Sequence, residues 1–223
     1  MQTATSTKFH ELLGSRTADG REYLTSAPII GRALAGQLQR DEYIAFLTQA
    51  FHHVRHTVPL LMAVGSRLPA RLDWLRKQII HSTEEEEGHE QWILNDIEAA
   101  GGDASAAASS LPSAATDAMV AYAYDTAVRR NPVGFFGMVY VLEGTSVALA
   151  TAAANAMGRA LGLPNSAFRY LLSHGTIDAT HIEFLESVLE RFTDPADRDD
   201  IVHAARRFYW LYAQIFRSLP DRQ

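Results

Sequence analysis

Apolar side chains recur at spacings of three and four residues along almost the whole chain, and this period most constrains the fold. Residues three and four apart share one face of an α-helix, whereas a half-buried strand alternates apolar and polar residues at a spacing of two. No stretch of strand length alternates convincingly. The sequence therefore predicts an all-α protein.

Capping side chains next to prolines mark where several helices begin. Ser26-Ala27-Pro28, Asn131-Pro132 and Asp194-Pro195 each place a capping side chain near a proline, which is tolerated in a first helical turn. Pro59 falls inside a longer periodic segment and predicts a kink there. The predicted helices, to within a few residues, span 4–14, 27–37, 40–66, 70–100, 113–129, 132–161, 165–192 and 195–218.

The connections between these segments are short enough for one domain. The longest loop by composition is DASAAASSLPS, which follows the helix end at Gly101-Gly102. With 223 residues, 47% of them hydrophobic, the chain has ample material for one core. We expect one domain over residues 1–223, a compact helical bundle of about seven to eight helices.

Composition excludes several functions. The chain has no Cys, which removes disulfides, thiolate metal sites and a cysteine nucleophile. Its net charge is -6 and Lys and Arg do not cluster, so nucleic acid or an anionic membrane is not the expected partner. The N-terminus, MQTATSTKFHELLGSR, lacks the apolar core of a secretory signal. We expect a cytoplasmic protein with a small-molecule substrate, and a homodimer is the commonest soluble oligomer.

The most apolar stretch, Pro132 to Gly158, is long enough to span a bilayer. Glu143 stands at its centre, however, and much of the rest is Ala, Gly, Ser and Thr. A buried central helix accounts for it better. A carboxylate in such a helix costs on the order of several kcal/mol unless it has a cation, a proton or strong donors as partner.

The segment 165–192 carries polar residues on the helix face that, by its spacing, should be buried in the core and that usually has leucines. At about 100° per residue, His174, Asp178 and His181 fall within an arc of about 60°, so they project the same way. Three polar groups at consecutive core positions require a shared partner. The whole seam reads Leu171, His174, Asp178, His181, Leu185, Val188 and Phe192.

A similar seam in the segment 70–100 is interrupted by Glu86 and His89. The acidic run EEEEGHE would by itself be typical of a solvated helix face. The helical period separates its members, because it turns Glu84, Glu85 and Glu87 away from the stripe and leaves Glu86 facing inward. The stripe reads Leu72, Leu75, Ile79, Ser82, Glu86, His89, Ile93 and Ile97.

Six imidazole and carboxylate groups therefore face the core of one predicted bundle. Such a set can hold two first-row metals with positions left open for oxygen, as di-iron carboxylate sites do. The predicted cofactor is iron, two per chain, with O2 as co-substrate. The predicted metal ligands are Glu86, His89, Glu143, His174, Asp178 and His181.

These motifs resemble those of the haem-oxygenase-like superfamily, which includes TenA-type thiaminases, pyrroloquinoline-quinone synthase, haem oxygenases and di-iron oxidases and oxygenases. The resemblance covers nearly the whole chain in helix order. The di-iron group uses a Glu and a His on one core helix, a Glu on the next central helix and His-x-x-x-Asp-x-x-His on a third. The resemblance implies the same six metal ligands and an oxidoreductase that oxidises a small organic substrate with O2.

One departure leaves a ligand position open. Many di-iron members place the first His seven residues after its Glu, but the residue seven before His89 is Ser82, so the first helix matches only as Glu-x-x-His. His52, His53 and His56 lie in TQAFHHVRHTVPLL and are the place to look for a missing group. The alternative to a ligand role is that these three residues are core or interface histidines. Tyr140 and the turn near these histidines are expected to line the pocket.

Other branches of the superfamily give rival functions. Thiamin hydrolysis by the TenA route needs a cysteine nucleophile, which this chain lacks. Haem binding or haem degradation is the main alternative, with His10 of TKFH as axial ligand and YVLEGTS, residues 140–146, as the second similar motif. The helix after Glu143 lacks the closely spaced glycines that let such helices approach haem. A non-catalytic binding or regulatory protein of the same fold is the third alternative.

Overall fold

The computed structural model describes the backbone of residues 8–220 and the side chains of residues 8–173 and 183–220. Within that range the chain folds into α-helices joined by short turns, with 3-10 turns at Ala70–Leu72, Pro132–Gly134 and Asn165–Ala167, and no strand occurs there. The helices are α1 (Phe9–Arg16), α2 (Ala18–Thr25), α3 (Pro28–Leu34), α4 (Arg40–Val54), α5 (Thr57–Arg67), α6 (Asp73–Glu86), α7 (His89–Ala99), α8 (Ala104–Ser109), α9 (Ala114–Val128), α10 (Phe135–Leu161), α11 (Arg169–Glu190) and α12 (Pro195–Ser218).

The all-α prediction is confirmed, and the last four predicted segments match α9, α10, α11 and α12 within a few residues. The predicted caps at Asn131 and Asp194 are confirmed, because both side chains accept hydrogen bonds from backbone amides at the starts of their segments. The prediction for Ser26 is wrong, because its hydroxyl donates to the carbonyl oxygen of Tyr23 at 2.9 Å and does not cap α3. The buried apolar residues of all these helices form one core.

The helix α10 is the central element. It packs against α11, α12 and α3, in agreement with the prediction of a buried core helix, although its length and hydropathy alone would also allow it to cross a membrane. The contact with α12 is close at Gly137, where a β-carbon would lie 2.6 Å from the backbone nitrogen of Ala205 and from the carbonyl oxygen of Ile201. Only glycine fits there without a shift of one helix.

The prediction of one helix over 40–66 is wrong. The chain turns at Arg55 and His56, between α4 and α5, and does not kink at Pro59. Pro59 is the third residue of α5, within the first turn, where the missing proline N–H removes no helical hydrogen bond. The proline therefore favours a helix that begins just before it.

The prediction of one helix over 70–100 is also wrong, because the chain breaks between α6 and α7. Glu87 is extended, with ψ 121°, and Gly88 has φ +86°. Glycine adopts this left-handed conformation without the steric cost of a β-carbon. The apolar stripe from Leu72 to Ile97 therefore lies on two helices, with Glu86 and His89 on either side of the break.

Two short helices were not predicted. They are α2 and α8, and α8 replaces much of the loop expected after Gly102. The carboxylate of Asp103 accepts a hydrogen bond from the backbone N–H of Ala106 at 2.9 Å, which caps α8. The capped Ala-rich stretch then forms a helical turn and a half.

Candidate metal centre

Glu86 and His89 meet across the turn between α6 and α7. Glu86 is the last residue of α6 and His89 the first of α7, and the Nδ1 atom of His89 lies 3.0 Å from the Oε2 atom of Glu86. His89 is 7% exposed. Its ring stacks on Trp92 with 4.0 Å between centroids, and the guanidinium of Arg169 lies 4.5 Å from the centroid of the Trp92 ring. These contacts fix the orientation of the imidazole.

The acidic run divides as the helical period predicts. The side chain of Glu86 is 16% exposed, whereas Glu84, Glu85 and Glu87 are all exposed. Glu85 lies 3.4 Å from His81 and, although exposed, also lines a cavity at Glu86. Glu86 is the least exposed carboxylate of this run.

Glu143 extends from the first half of α10 towards the same interior space, and its Oε2 atom is buried. Two adjoining cavities share five lining residues, and both carboxylates are among them. Val139, four residues before Glu143, lines both cavities, and Ser146, three residues after it on the same helical face, lines one of them. The five shared residues are Thr57, Glu86, Phe135, Val139 and Glu143.

Among the three neighbouring histidines, only His53 lines a cavity that Glu86 and Glu143 also line. It is 5% exposed, and its ring packs edge-on against Tyr212 at 5.9 Å between centroids. His52 instead contacts the Ser110 hydroxyl at 2.9 Å, and His56 contacts the Tyr124 hydroxyl at 3.1 Å. His52 and His56 therefore have polar partners outside this site.

The side chains of His174, Asp178 and His181 lie outside the described residues. Their backbone belongs to α11, which is helical from Arg169 to Glu190. The described members of the same predicted seam, Leu171, Leu185, Val188 and Phe192, are all buried.

The N-terminus of α11 is held by a buried carboxylate on α7 that sequence reasoning missed. Asp96 accepts hydrogen bonds from the backbone N–H groups of Arg169 at 3.1 Å and Tyr170 at 2.8 Å. Nearby, the hydroxyl of Tyr43 donates to the carbonyl oxygen of Ala167 at 2.7 Å. Burial raises the pKa of Asp96 to about 6, against the opposing effect of the two amides.

Among the described side chains, no group of three or more His, Asp or Glu is close enough to hold a metal ion. The structure does bring Glu86 into contact with His89 and places Glu86 and Glu143 on one cavity. Carboxylate and imidazole groups are ligands that suit iron. The carboxylates of Glu86 and Glu143 and the imidazole of His89 are therefore of the kinds that could form one side of an iron site.

His10, the axial ligand of the haem alternative, lies at the other end of α11. Its Nδ1 atom is 2.8 Å from Glu190 Oε1, and its Nε2 atom is 3.8 Å from Glu186 Oε2. The backbone N–H of His10 also donates to Glu190. The prediction that Tyr140 lines the pocket is not supported, because a β-carbon at Gly14 would lie 3.3 Å from its hydroxyl, which also hydrogen-bonds to Thr17.

Comparison with protein families identifies the group to which the chain is related. Residues 44–213, well over half of the chain, match the family model described as iron-containing redox enzyme. The chain belongs to this family. A search of curated proteins gives no match.

Solved structures of the same fold come from several bacteria. A domain of unknown function with a haem-oxygenase-like fold from Shewanella denitrificans is similar with a TM-score of 0.83 and 26% identity, over 95% of this chain and 91% of that one. A TenA homologue from Pseudomonas syringae has a TM-score of 0.80 and 11% identity, over 96% and 94% of the chains. Haem oxygenase-1 from Synechocystis, in complex with haem, has a TM-score of 0.76 and 12% identity, over 94% and 91%. The fold is therefore haem-oxygenase-like.

Proposed function

We propose that this protein is a di-iron oxidase or oxygenase that uses O2 to oxidise a small organic substrate. The observation that carries the proposal is the shared cavity of Glu86 and Glu143, two carboxylates from different helices in the apolar interior of a protein of an iron-containing redox family. Carboxylates that are partly removed from water are stabilised by a nearby cation, so a cavity lined by two of them suits a metal.

The residues that would hold the iron are the six predicted from the sequence. Glu86, with His89 against it, would come from the turn between α6 and α7, and Glu143 would come from α10. α11 would supply His174, Asp178 and His181. Iron bound there supplies the one-electron chemistry that O2 needs before it reacts with an organic molecule. The stacking of His89 on Trp92 would hold its ring in place for this role.

Apolar walls around the carboxylates have a separate role. Phe135, Val139 and Leu142 line the cavity beside Glu86 and Glu143. They exclude bulk water, so charges at the site interact more strongly and reactive species are protected from side reactions. His53, on the same wall, is placed to contact the polar end of a substrate.

Iron content tests the proposal directly. Protein reconstituted anaerobically with ferrous iron is expected to hold close to two irons per chain, as measured by elemental analysis after removal of free metal. Glu86→Ala and Glu143→Ala should each lower the iron content and the rate of O2 consumption at least tenfold, because each removes a charged ligand. Glu84→Ala is the matched control, since Glu84 is exposed on the same helix as Glu86, and it should retain both.

Three results would contradict the proposal. Iron content at background in the reconstituted wild-type protein would exclude the iron site. A Soret band on addition of haem, lost in His10→Ala but kept in Glu143→Ala, would favour the haem alternative instead. One iron per chain would mean that the six residues form a mononuclear site, which would refute the di-iron form of the proposal.

A further inference from the structure

An elongated cavity, here called the chain pocket, runs along one face of α10. Its lining on that helix includes Ser146, Leu149, Ala150, Ala153 and Met157, which follow one another at helical spacing. From Ser146 to Met157 the helix rises about 16 Å, at about 1.5 Å per residue. The chain pocket is therefore long in one direction.

The walls of the chain pocket are apolar. Side chains of α3, α4 and α12, among them Ile30, Phe46 and Phe216, form the side opposite α10. None of the described residues that line it carries a charge. Its empty volume is ≈ 660 Å³, including the space open to solvent at its mouth.

One end of the chain pocket adjoins the candidate metal centre. Ser146, Tyr170 and Tyr212 line both the chain pocket and the cavity of His53, Glu86 and Glu143. The three hydroxyl-bearing residues thus stand at the junction between an apolar space and a polar one.

The other end reaches the surface. Leu34, which lines the pocket at the end of α3, is 39% exposed. The turn that follows packs on the later part of α10, because a β-carbon at Gly36 would lie 3.0 Å from the carbonyl oxygen of Ala156. The chain pocket therefore opens far from Ser146 and ends near the carboxylates.

We infer that the chain pocket binds a molecule with one linear apolar chain and a polar end group. The chain lies along α10, and the polar end lies between Ser146, Tyr170 and Tyr212, beside Glu86 and Glu143. A length of about 16 Å takes roughly a dozen carbons in an extended zigzag of bonds of about 1.5 Å. That this molecule is the substrate rests on the proposed function, whereas its binding depends only on the cavity.

Chain-length dependence in the metal-free protein tests the inference. The probes are linear primary alcohols, which are neutral and so avoid repulsion by the two carboxylates, and their affinity is measured by titration calorimetry. Each added methylene should lower Kd about fourfold while it enters the pocket. The gain should stop at about a dozen carbons, because further methylenes meet the mouth of the pocket and water.

Substitutions on α10 provide a matched pair. Ala153 is buried on the pocket face about 10 Å beyond Ser146, and its neighbour Ala152 is exposed. Ala153→Leu should shorten the best-binding alcohol by several carbons and leave the Kd of the shortest alcohols unchanged. Ala152→Leu should leave the whole series as in the wild-type protein. Ala150 lies nearer to Ser146, so Ala150→Leu should reduce the length of the best-binding alcohol further. This variant replaces Ala153→Leu in the experiment if Ala153→Leu does not fold.

Three results would overturn the inference: no measurable alcohol binding, affinity that rises with length without a limit, or the same length limit in Ala153→Leu and Ala152→Leu. The second would indicate non-specific association with the protein surface. Because the titrations use metal-free protein, length-limited binding in a protein that takes up no iron would reject the proposed function alone. Stoichiometric iron without alcohol binding would reject the chain pocket alone.

Discussion

Individual carboxylates show what a sequence pattern can and cannot reveal about this site. Glu86 interrupts an apolar stripe and Glu143 stands in the most apolar segment of the chain, so the sequence predicted that both face the interior, and both line one cavity. Asp96 is more deeply buried than either but interrupts no stripe. Its partners are the backbone amides of Arg169 and Tyr170, which are distant in sequence. The pattern of side chains in a sequence does not show which backbone amides a carboxylate will contact.

Asp96 should make stability depend on pH. Its folded pKa of about 6 lies above the unfolded value of 3.8, so the folded state holds the proton more tightly. The contribution of Asp96 to the free energy of unfolding should therefore fall by up to about 3 kcal/mol as pH rises from about 4 to about 6, and stay level above that window. Asp96→Asn carries no titrating carboxyl and should remove this fall, as measured by urea unfolding at a series of pH values.

The control for this prediction is Asp19→Asn, which changes an exposed carboxyl of α2 in the same way. Its unfolding free energy should follow the wild-type dependence on pH. Were Asp96→Asn to follow the wild-type curve as well, the buried carboxyl would not be the group that couples folding to protons in this range.

At the scale of the helices, the sequence predicted which helix faces are buried better than it predicted where one helix ends and the next begins. Segments that begin at Asn-Pro or Asp-Pro were located within a few residues, because the cap and the proline act on the local backbone. The break at Gly88 was missed since one glycine inside a periodic segment is compatible with a continuous helix. What decides it is the left-handed conformation of that residue, φ +86°, which is visible only in the structure.

Gly88→Ala should destabilise the protein by about 1–2 kcal/mol, because a β-carbon disfavours the left-handed conformation. No atom outside its chain neighbours lies within 4 Å of that β-carbon, so the loss would come from backbone strain alone. Thermal unfolding measures the effect, and the melting temperature should fall by about 2–8 °C at this chain length.

Gly31→Ala makes the same chemical change in an ordinary helical turn. A β-carbon there also has nothing within 4 Å, and the φ of Gly31 is not positive. Alanine should stabilise α3 by about 0.5–1 kcal/mol relative to glycine. If both variants shifted the melting temperature in the same direction, backbone strain at Gly88 would not be the reason for the break.

For the whole molecule, the proposed iron site would connect segments that are far apart in sequence. Glu86 and His89 lie at the junction of α6 and α7, Glu143 lies on α10, and the His-x-x-x-Asp-x-x-His motif lies on α11. The resemblance stated from the sequence predicted this fold correctly, because the order of helices and the buried faces persist where identity is low. The convergence of all six ligands remains a prediction, since the side chains of three lie outside the described residues.

A ligand that binds only the folded state raises its stability in proportion to the logarithm of free ligand. Ferrous iron at about 100 times its Kd should add about 2.7 kcal/mol, or about 5–11 °C in melting temperature for a chain of this length, under anaerobic conditions. His181→Ala should abolish most of this iron-dependent rise, because it removes a predicted ligand on α11. His203→Ala, an exposed histidine of α12, should keep it. Equal iron-dependent rises in the two variants would exclude His181 as a ligand.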